Sequence, residues 1–353
     1  NLVRSGSDFL PSLQKLIKNK ADKQLLIILC SSSVNWVENS MVSQMKSIVL
    51  LLSGLLKVKP LSFDQILKSY PEYSVGDAIT LYSVLGGVPG RWEKCLLYQT
   101  KKADEILQRA FLKPGGVFEN EHELILRSEL RELGVYQTIL SALACGNSKL
   151  NDIYRHTGFS RAKISVYLKN LMQMEVVEKI FSVETEGHDN LQKGLYRIAD
   201  PLFSFVYTFL FHKRDELSQF GPDVFYQRTV RPYLNQFIGS AFKGICRETV
   251  SRWNKEDRLP IKANEIGEWN GKKASLDLIC IGDEDKTIVG YCNYVNKVVT
   301  YDDYEWILFG AKQARVHTDH IWIFSATGFD DQIKALASQD SSMKLIGIQD
   351  MLE

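Results

Sequence analysis

The 353-residue sequence predicts a multidomain protein that combines α/β segments with mainly α segments. Three observations predict this class. The length exceeds what one core of ordinary size uses. Helix-spaced apolar residues dominate the first two thirds of the chain. In the last third, short apolar runs alternate with helical patterns, which is typical of a mixed sheet covered by helices on both faces.

The composition is ordinary for a globular protein, with 45% hydrophobic and 24% charged residues. Lys and Arg number 43 against 42 Asp and Glu, so binding to nucleic acid would depend on a local basic patch. The six cysteines show no CxxC spacing and mostly lie in apolar runs, which indicates buried, reduced thiols and a cytoplasmic location. The apolar runs are too short for a bilayer, so we expect no membrane contact.

The first 117 residues divide into two segments. In residues 1–60, the runs "QLLIILC" and "IVLLLSGLL" have the length and composition of buried strands. Residues 61–117 show helical patterns interrupted at Gly87. Pro89 follows this break and suits the first turn of a new helix. We therefore expect the end of an α/β domain followed by a helical subdomain.

Residues 118–211 follow the order of a winged helix-turn-helix. One continuous helical pattern covers Glu121–Ala144, a short helix follows, and Ser160 caps a second helix. Two strands, Val176–Val183 and Gly194–Ile198, form the wing. The candidate DNA-binding residues are cations that lie beside these elements. They are Arg155, Arg161, Lys163, Lys169 and Lys193, together with Lys179 and Arg197.

Residues 212–236 are predicted to form a helical linker, and residues 237–353 an α/β domain. Its predicted elements alternate along the chain: a helix near Phe237–Trp253, strands at Leu276–Ile281 and Thr287–Asn293, a helix near Tyr304–Arg315, a strand at His320–Phe324, a helix at Asp330–Gln339 and the strand "MKLIGI". The stretch "IVGYCNY" is similar to a catalytic strand of PD-(D/E)xK nucleases. However, Tyr291 stands where that motif has an acid, and Asn293 stands where it has lysine.

Eight segments carry a wider resemblance, in the right order along the chain. They are "LIILCSSSVNWVE", "LKVKPLSF", "LYSVLGGVPGRW", "ELRELGVYQTILSALACGNSKLNDIY", "YLKNLMQMEVVEK", "YRIADPLFSFVYTFLF", "FIGSAFKGIC" and "IWIFSATGFDDQIKALA". Together they resemble the archaeal-type P-loop ATPases of the AAA+/STAND group, which carry a winged helix and a C-terminal restriction-endonuclease-like domain. The chain starts at Asn1 as if inside a domain, so we expect further sequence upstream.

The resemblance implies five parts. Residues 1–60 would be a remnant of the P-loop ATPase core, 61–117 its helical lid, 118–211 the winged helix-turn-helix, 212–236 a linker and 237–353 the PD-(D/E)xK-like domain. It implies ATP and Mg²⁺ as cofactors of the family, and nucleotide-facing positions at Ser31, Ser32, Gly87 and Pro89. The chain contains no GxxxxGK[ST] loop, and leucines at 51 and 52 stand where the family has arginines. We expect no cofactor and no ATP hydrolysis in this chain alone.

The nuclease part of the resemblance also departs from the family pattern. Asp277 matches the first acid of the motif, but Lys243, Tyr291 and Asn293 replace two further acids and the lysine. One carboxylate cannot hold a divalent ion tightly, so we expect no metal and no cleavage. The acids that could replace the lost ones are Glu248, Asp302, Asp303 and Glu305, with Lys297 as a relocated lysine; His317 and His320 are expected at the surface.

The leading hypothesis is a truncated or degenerate member of this family that acts as a DNA- or protein-binding module with an inactive nuclease-like domain. The first alternative is a fragment of an ATP-binding, DNA-associated ATPase whose P-loop lies upstream. The second is an active metal-dependent nuclease with a relocated site. For the winged helix itself, protein binding and DNA binding both remain open.

Overall fold

The computed structural model of the protein describes residues 8–19, 26–31, 33–186, 194–295 and 297–352. Its buried apolar residues form three cores. The largest runs without interruption from Phe63 through the winged helix to one face of the C-terminal sheet. A second core covers the other face of that sheet, and a small one lies among the helices before residue 50. Residues 61–352 therefore pack as one connected body.

In the described part of residues 1–117, all regular elements are helical. They are α1 (Phe9–Asn19), α2 (Val34–Asn39), α3 (Met41–Met45), a 3₁₀ turn at Lys46–Leu51, α4 (Phe63–Ser69), α5 (Val75–Leu85), α6 (Pro89–Leu96) and α7 (Ala103–Leu107), which a π-helical turn at Gln108–Leu112 extends. Ser62 caps α4 through a reciprocal pair of hydrogen bonds with Gln65, which fixes the start of this helix.

The two strands predicted within residues 1–60 are wrong where the structure describes them. Residues 26–30 have no regular structure, and the second run forms the 3₁₀ turn and an irregular segment. Leu26 and Leu56 are 83% and 86% exposed. A buried strand needs neighbours that bond its backbone N–H and C=O groups. Among the described residues no strand precedes Val177, so these apolar runs have no sheet to join.

The winged helix-turn-helix is confirmed. It consists of α8 (Glu121–Glu129), α9 (Leu133–Ala144), α10 (Leu150–Thr157), α11 (Arg161–Gln173) and the antiparallel strands β1 (Val177–Ile180) and β2 (Leu195–Ile198). The single helix predicted over Glu121–Ala144 is wrong, because Leu130 is extended and Glu132 is left-handed with φ 55°. The break lets α9 pack against α10 and α11, an arrangement that helical spacing alone cannot show.

The chain after the wing is helical and then α/β. The helices are α12 (Pro201–Phe209), α13 (Arg214–Phe220), α14 (Pro222–Phe225), a π-helical turn at Tyr226–Val230 and the long α15 (Arg231–Lys255). Helix α5 packs against both α12 and α15. The carboxylate of Glu248 on α15 accepts a hydrogen bond from the backbone N–H of Phe63, at the start of α4. These contacts join the helical subdomain to the C-terminal part.

The C-terminal sheet has five strands in sequence order. Its elements are β3 (Ala263–Asn270), β4 (Ser275–Gly282), β5 (Thr287–Asn293), α16 (Tyr301–Ala314), β6 (His320–Ser325), α17 (Asp331–Gln339) and β7 (Met343–Gly347). The pairs β3–β4 and β4–β5 are antiparallel, and β5–β6 and β6–β7 are parallel. Helix α15 covers one face, and α16 and α17 cover the other, which confirms a mixed sheet with helices on both faces.

Two further expectations concern cysteines and membranes. Cys95, Cys246, Cys280 and Cys292 are buried as expected, whereas Cys30 and Cys145 are exposed. The expectation is wrong for these two because one lies in an irregular segment and the other ends α9.

None of the helices in the described part combines the length and the apolar character that crossing a membrane requires.

A buried arginine connects the helical subdomain to the winged helix. Arg91 on α6 is 5% exposed. Its Nη1 and Nη2 donate to both carboxylate oxygens of Asp200, at 3.0 and 2.8 Å, and its Nε donates to Glu121 at 3.0 Å. Asp200 also caps α12 by accepting from the N–H groups of Leu202 and Phe203. One carboxylate thus satisfies a buried guanidinium and starts the helix that follows the wing.

Replacing Asp200 by Ala is expected to lower the free energy of unfolding by about 3 kcal/mol, because it leaves Arg91 buried with one partner fewer and removes the cap of α12. Urea denaturation followed by tryptophan fluorescence measures this. Asp200→Asn, which keeps the cap, should cost less than Asp200→Ala. The control is Asp64→Ala, which removes the exposed pair with Lys68 and should change stability little. Equal effects of Asp200→Ala and Asp64→Ala would contradict the assignment.

Candidate functional site

The second helix of the helix-turn-helix presents a basic face to solvent. Gly158 makes the preceding turn with φ 72°, and Ser160 caps α11 by accepting a hydrogen bond from the N–H of Lys163. Ile164, Leu168 and Leu171 are buried against the core. The opposite face is exposed, and its residues are Arg161, Ala162, Lys163, Ser165, Val166 and Lys169. The helix therefore has one face fixed by packing and one free for a ligand.

Two of the basic side chains on this face are held by aromatic rings. The guanidinium of Arg161 lies 4.3 Å from the ring centre of Tyr154 on α10, and its Nε donates to Asn151 Oδ1 at 2.7 Å. The ammonium of Lys163 lies 4.8 Å from the ring centre of Phe159. Cation–π contacts of this kind restrict long side chains that would otherwise sample many rotamers.

The predicted DNA-binding residues are brought together except at the wing. Arg155, Arg161, Lys163 and Lys169 all lie exposed on α10 and α11. Lys193 lies outside the described residues. The sequence analysis did not single out Tyr154 and Asn151, the two residues that hold Arg161. Both lie shortly before the turn at Gly158, and Arg161 lies just after it, so their closeness in sequence could have indicated the contact.

The wing is engaged with the C-terminal sheet. Arg197 on β2 binds Glu178 at 2.6 Å and Glu268 on β3 at 3.5 Å. The N–H of Val183 donates to the carbonyl of Glu268 at 3.0 Å, and the hydroxyl of Ser182 accepts from the N–H of Asn270. The chain that leaves β1 thus pairs with the edge strand of the five-stranded sheet. Lys179 packs beside Phe181 and Tyr196 within the wing.

A buried acid and a lysine meet at the start of the C-terminal sheet. Asp277 on β4 is 9% exposed, and its Oδ1 lies 2.6 Å from Lys243 Nζ on α15. Its Oδ2 accepts from the N–H of Cys292 at 3.2 Å. Arg247, one helical turn after Lys243, donates to the carbonyl of Asp277 and binds Glu268 at 3.1 Å. Both oxygens of the carboxylate therefore have partners inside the protein.

Tyr291 lies near this pair, and Asn293 is engaged elsewhere. A cavity of about 100 Å³ is lined by Lys243, Asp277, Tyr291 and Trp306. Burial, with the neighbouring Asp303, raises the pKa of Tyr291 to about 12, so its phenol is neutral at ordinary pH. Asn293 donates to the carbonyl of Lys297 at 2.7 Å. The side chain of Asn293 thus holds the loop after β5.

The acids considered as replacements have other roles. Glu248 accepts from Phe63 N–H and Tyr82 O–H, and burial raises its pKa. Asp303 forms a capping box with Thr300, and the side chains of Asp302 and Glu305 are exposed. His317 is exposed as expected, and the neighbouring His320 is half-buried. In the described ranges, no group of three or more His, Cys, Asp or Glu side chains could hold a metal ion.

The candidate nucleotide-facing residues lie in two different surroundings. The carbonyl of Gly87 accepts from the N–H of Leu61 at 2.7 Å, and a Cβ added at Gly87 would lie 1.8 Å from the carbonyl oxygen of Leu61. Pro89 is the first residue of α6. Ser31 is exposed, and its hydroxyl accepts from the N–H of Ser33. Ser32 lies outside the described residues. The close backbone approach explains the glycine at 87 without a nucleotide.

Comparisons with known proteins agree with two parts of this architecture. Residues 138–179 match the arsR family of bacterial regulatory proteins, a helix-turn-helix family. Residues 206–305 match a family of archaeal and bacterial proteins of unknown function. An uncharacterized protein of Methanocaldococcus jannaschii is 29% identical over 290 residues, which cover 81% of this chain and 63% of that protein. The chain therefore spans less than two thirds of this relative. No solved structure matches the chain.

Gly87→Ala is expected to lower the free energy of unfolding by about 1–3 kcal/mol, because the added methyl group overlaps the backbone at Leu61. Thermal melting measured by circular dichroism, with no nucleotide present, tests this. Gly90→Ala is the matched control, since a Cβ at that position meets no atom within 4 Å. A Gly87→Ala variant that melts with the wild type would show that packing does not require glycine at position 87.

Proposed function

We propose that this chain binds duplex DNA through its winged helix-turn-helix and carries a nuclease-like C-terminal domain that does not cleave. The exposed cationic face of α11 supports the first part, because it lies on the second helix of a segment that matches a helix-turn-helix regulator family. In such motifs the second helix enters the major groove, and nearby cations bind phosphates.

The charge distribution supports DNA binding at one surface, formed by α10 and α11. The chain as a whole carries a formal net charge of only +1, so it has no general attraction for nucleic acid. Arg155, Arg161, Lys163 and Lys169 lie within two adjacent helices, where few acids interrupt them. Four cations on one surface would release counterions from DNA and make the affinity strongly dependent on salt. The surface fits a polyanion better than it fits an apolar protein partner.

The residues at Asp277 do not fit a divalent metal ion. Mg²⁺ requires near-octahedral oxygen ligands, and one or two carboxylates commonly supply them. Here the ammonium of Lys243 already neutralises Asp277, and the backbone N–H of Cys292 holds its second oxygen. Tyr291 offers only a neutral phenol. We therefore infer that the ammonium of Lys243 stands where a nuclease would hold its metal.

The ATPase-like origin of residues 1–117 is a proposal of the same kind. It rests on the order of the resembling segments in the sequence. The residues present contain no phosphate-binding loop, and Gly87 is explained by its contact with Leu61. We accordingly assign no ATP hydrolysis to this chain and treat the helical subdomain as the support that orients the winged helix.

Reversing two charges on α11 is expected to weaken duplex binding. The variant Lys163→Glu with Lys169→Glu should lose at least tenfold in affinity for a mixed-sequence duplex, since two phosphate contacts become repulsive. Fluorescence anisotropy at several salt concentrations measures this. The matched control is Lys312→Glu with Lys334→Glu, which makes the same charge change on exposed residues of α16 and α17. An equal loss of affinity in both variants would show that binding depends on the net charge of the chain and not on α11.

The purified chain is expected not to cleave DNA with Mg²⁺ or Mn²⁺. The physical reason is the Lys243–Asp277 ion pair, which engages Asp277, the one carboxylate among the described residues that line the cavity. Incubation with supercoiled plasmid and with labelled single strands, followed by gel electrophoresis, tests this. Cleavage by the wild type that disappears in Asp277→Ala would contradict the proposal; cleavage that persists in that variant would indicate a contaminant.

A further inference from the structure

Arg161 is held in a way that leaves one part of its guanidinium free. Its Cζ lies 4.3 Å from the ring centre of Tyr154, and its Nε donates to Asn151 Oδ1 at 2.7 Å. Among the described residues, no acceptor binds its Nη1 or Nη2. With Nε engaged and the side chain held beside the ring, the N–H groups of Nη1 and Nη2 are the donors left for a ligand. This arrangement is pre-organised for an acceptor pair.

The centre of the exposed face of α11 is apolar. Ala162 and Val166 are one turn apart and both are exposed, Val166 by 58%. More than half of the surface of Val166 therefore stays in contact with water, where an apolar side chain gains no hydrophobic stabilisation. Arg161 borders this apolar strip on one side, and Lys163 borders it on the other.

We propose that α11 recognises a specific base sequence, in which Arg161 binds a guanine and the Ala162–Val166 strip contacts the methyl group of a thymine. This inference rests on the proposed duplex binding and goes beyond it, since phosphate contacts alone carry no sequence information. In the major groove, guanine presents O6 and N7 as a pair of acceptors that an arginine fork matches, and thymine presents its methyl group to apolar side chains.

The neighbouring cations suit contacts with phosphates, whereas Arg161 suits a contact with a base. Lys163 and Lys169 are single ammonium groups, which bind phosphate as point charges. Arg155 lies on α10, the helix that crosses the DNA backbone in this motif. Of the four exposed cations, only Arg161 is both stacked on a ring and hydrogen-bonded to an amide. A side chain that only neutralises phosphates would gain no benefit from such a fixed orientation.

The test begins with selection of duplexes by the whole 353-residue chain from a random pool. Affinities are then compared between the selected site, the same site with 7-deazaguanine, and the same site with uracil for thymine. Arg161→Met keeps the length of the side chain but removes every donor to O6 and N7. We expect 7-deazaguanine to weaken binding of the wild type by about tenfold and to leave the affinity of Arg161→Met unchanged. Val166→Ala should remove the preference for thymine over uracil, and Lys169→Ala should weaken binding to all duplexes alike.

The outcomes separate this inference from the proposed function. Duplex binding without a fixed guanine, or a guanine preference that survives in Arg161→Met, would overturn base recognition by Arg161 and leave DNA binding in place. Failure of the wild-type chain to bind any duplex at low salt would overturn both proposals, and the apolar strip would then be assigned to a protein partner. A guanine preference that disappears in Arg161→Met and persists in Lys169→Ala establishes the inference.

Discussion

The position of the winged helix depends on the fork between Arg91 and Asp200. Arg91 lies in the helical subdomain, Glu121 starts α8, and Asp200 starts α12, so one buried guanidinium fixes three helix ends. Removing two opposite charges from water costs almost as much as their attraction returns, so such a pair contributes orientation more than stability. The planar fork has one geometry in which both oxygens are satisfied, and this sets the angle at which α12 leaves the wing.

The parts of the fold that local chemistry controls could be predicted from the sequence. Ser160 marked the cap of α11, and the apolar runs of β4, β5 and β6 marked strands buried on both faces. Strand β3 was missed because its residues are mostly polar and partly exposed. The false strands before residue 60 show the converse, since an apolar run forms a strand only where other strands accept its hydrogen bonds.

The sequence predicted which residues lie at the candidate sites, but it did not predict which of their side chains contact one another. Lys243 and Asp277 were named from the sequence, yet 34 positions separate them, and no spacing rule shows that their charges meet at 2.6 Å. Arg247 could have been found, because it lies four residues after Lys243 on the same helix face. The row Glu178, Arg197, Glu268, Arg247 alternates in charge from the wing to the carbonyl of Asp277. Such a row arises only from tertiary packing.

The pairing of Ser182 and Val183 with β3 has a consequence for how this protein can be divided. The match to the family of unknown function begins at residue 206, after the segment that covers this strand edge. A fragment cut at that boundary would carry β3 with bare backbone groups along its outer side, and exposed strands of this kind recruit further copies of themselves. A fragment that keeps this strand edge covered must therefore start before Ser182, well upstream of the first matched residue.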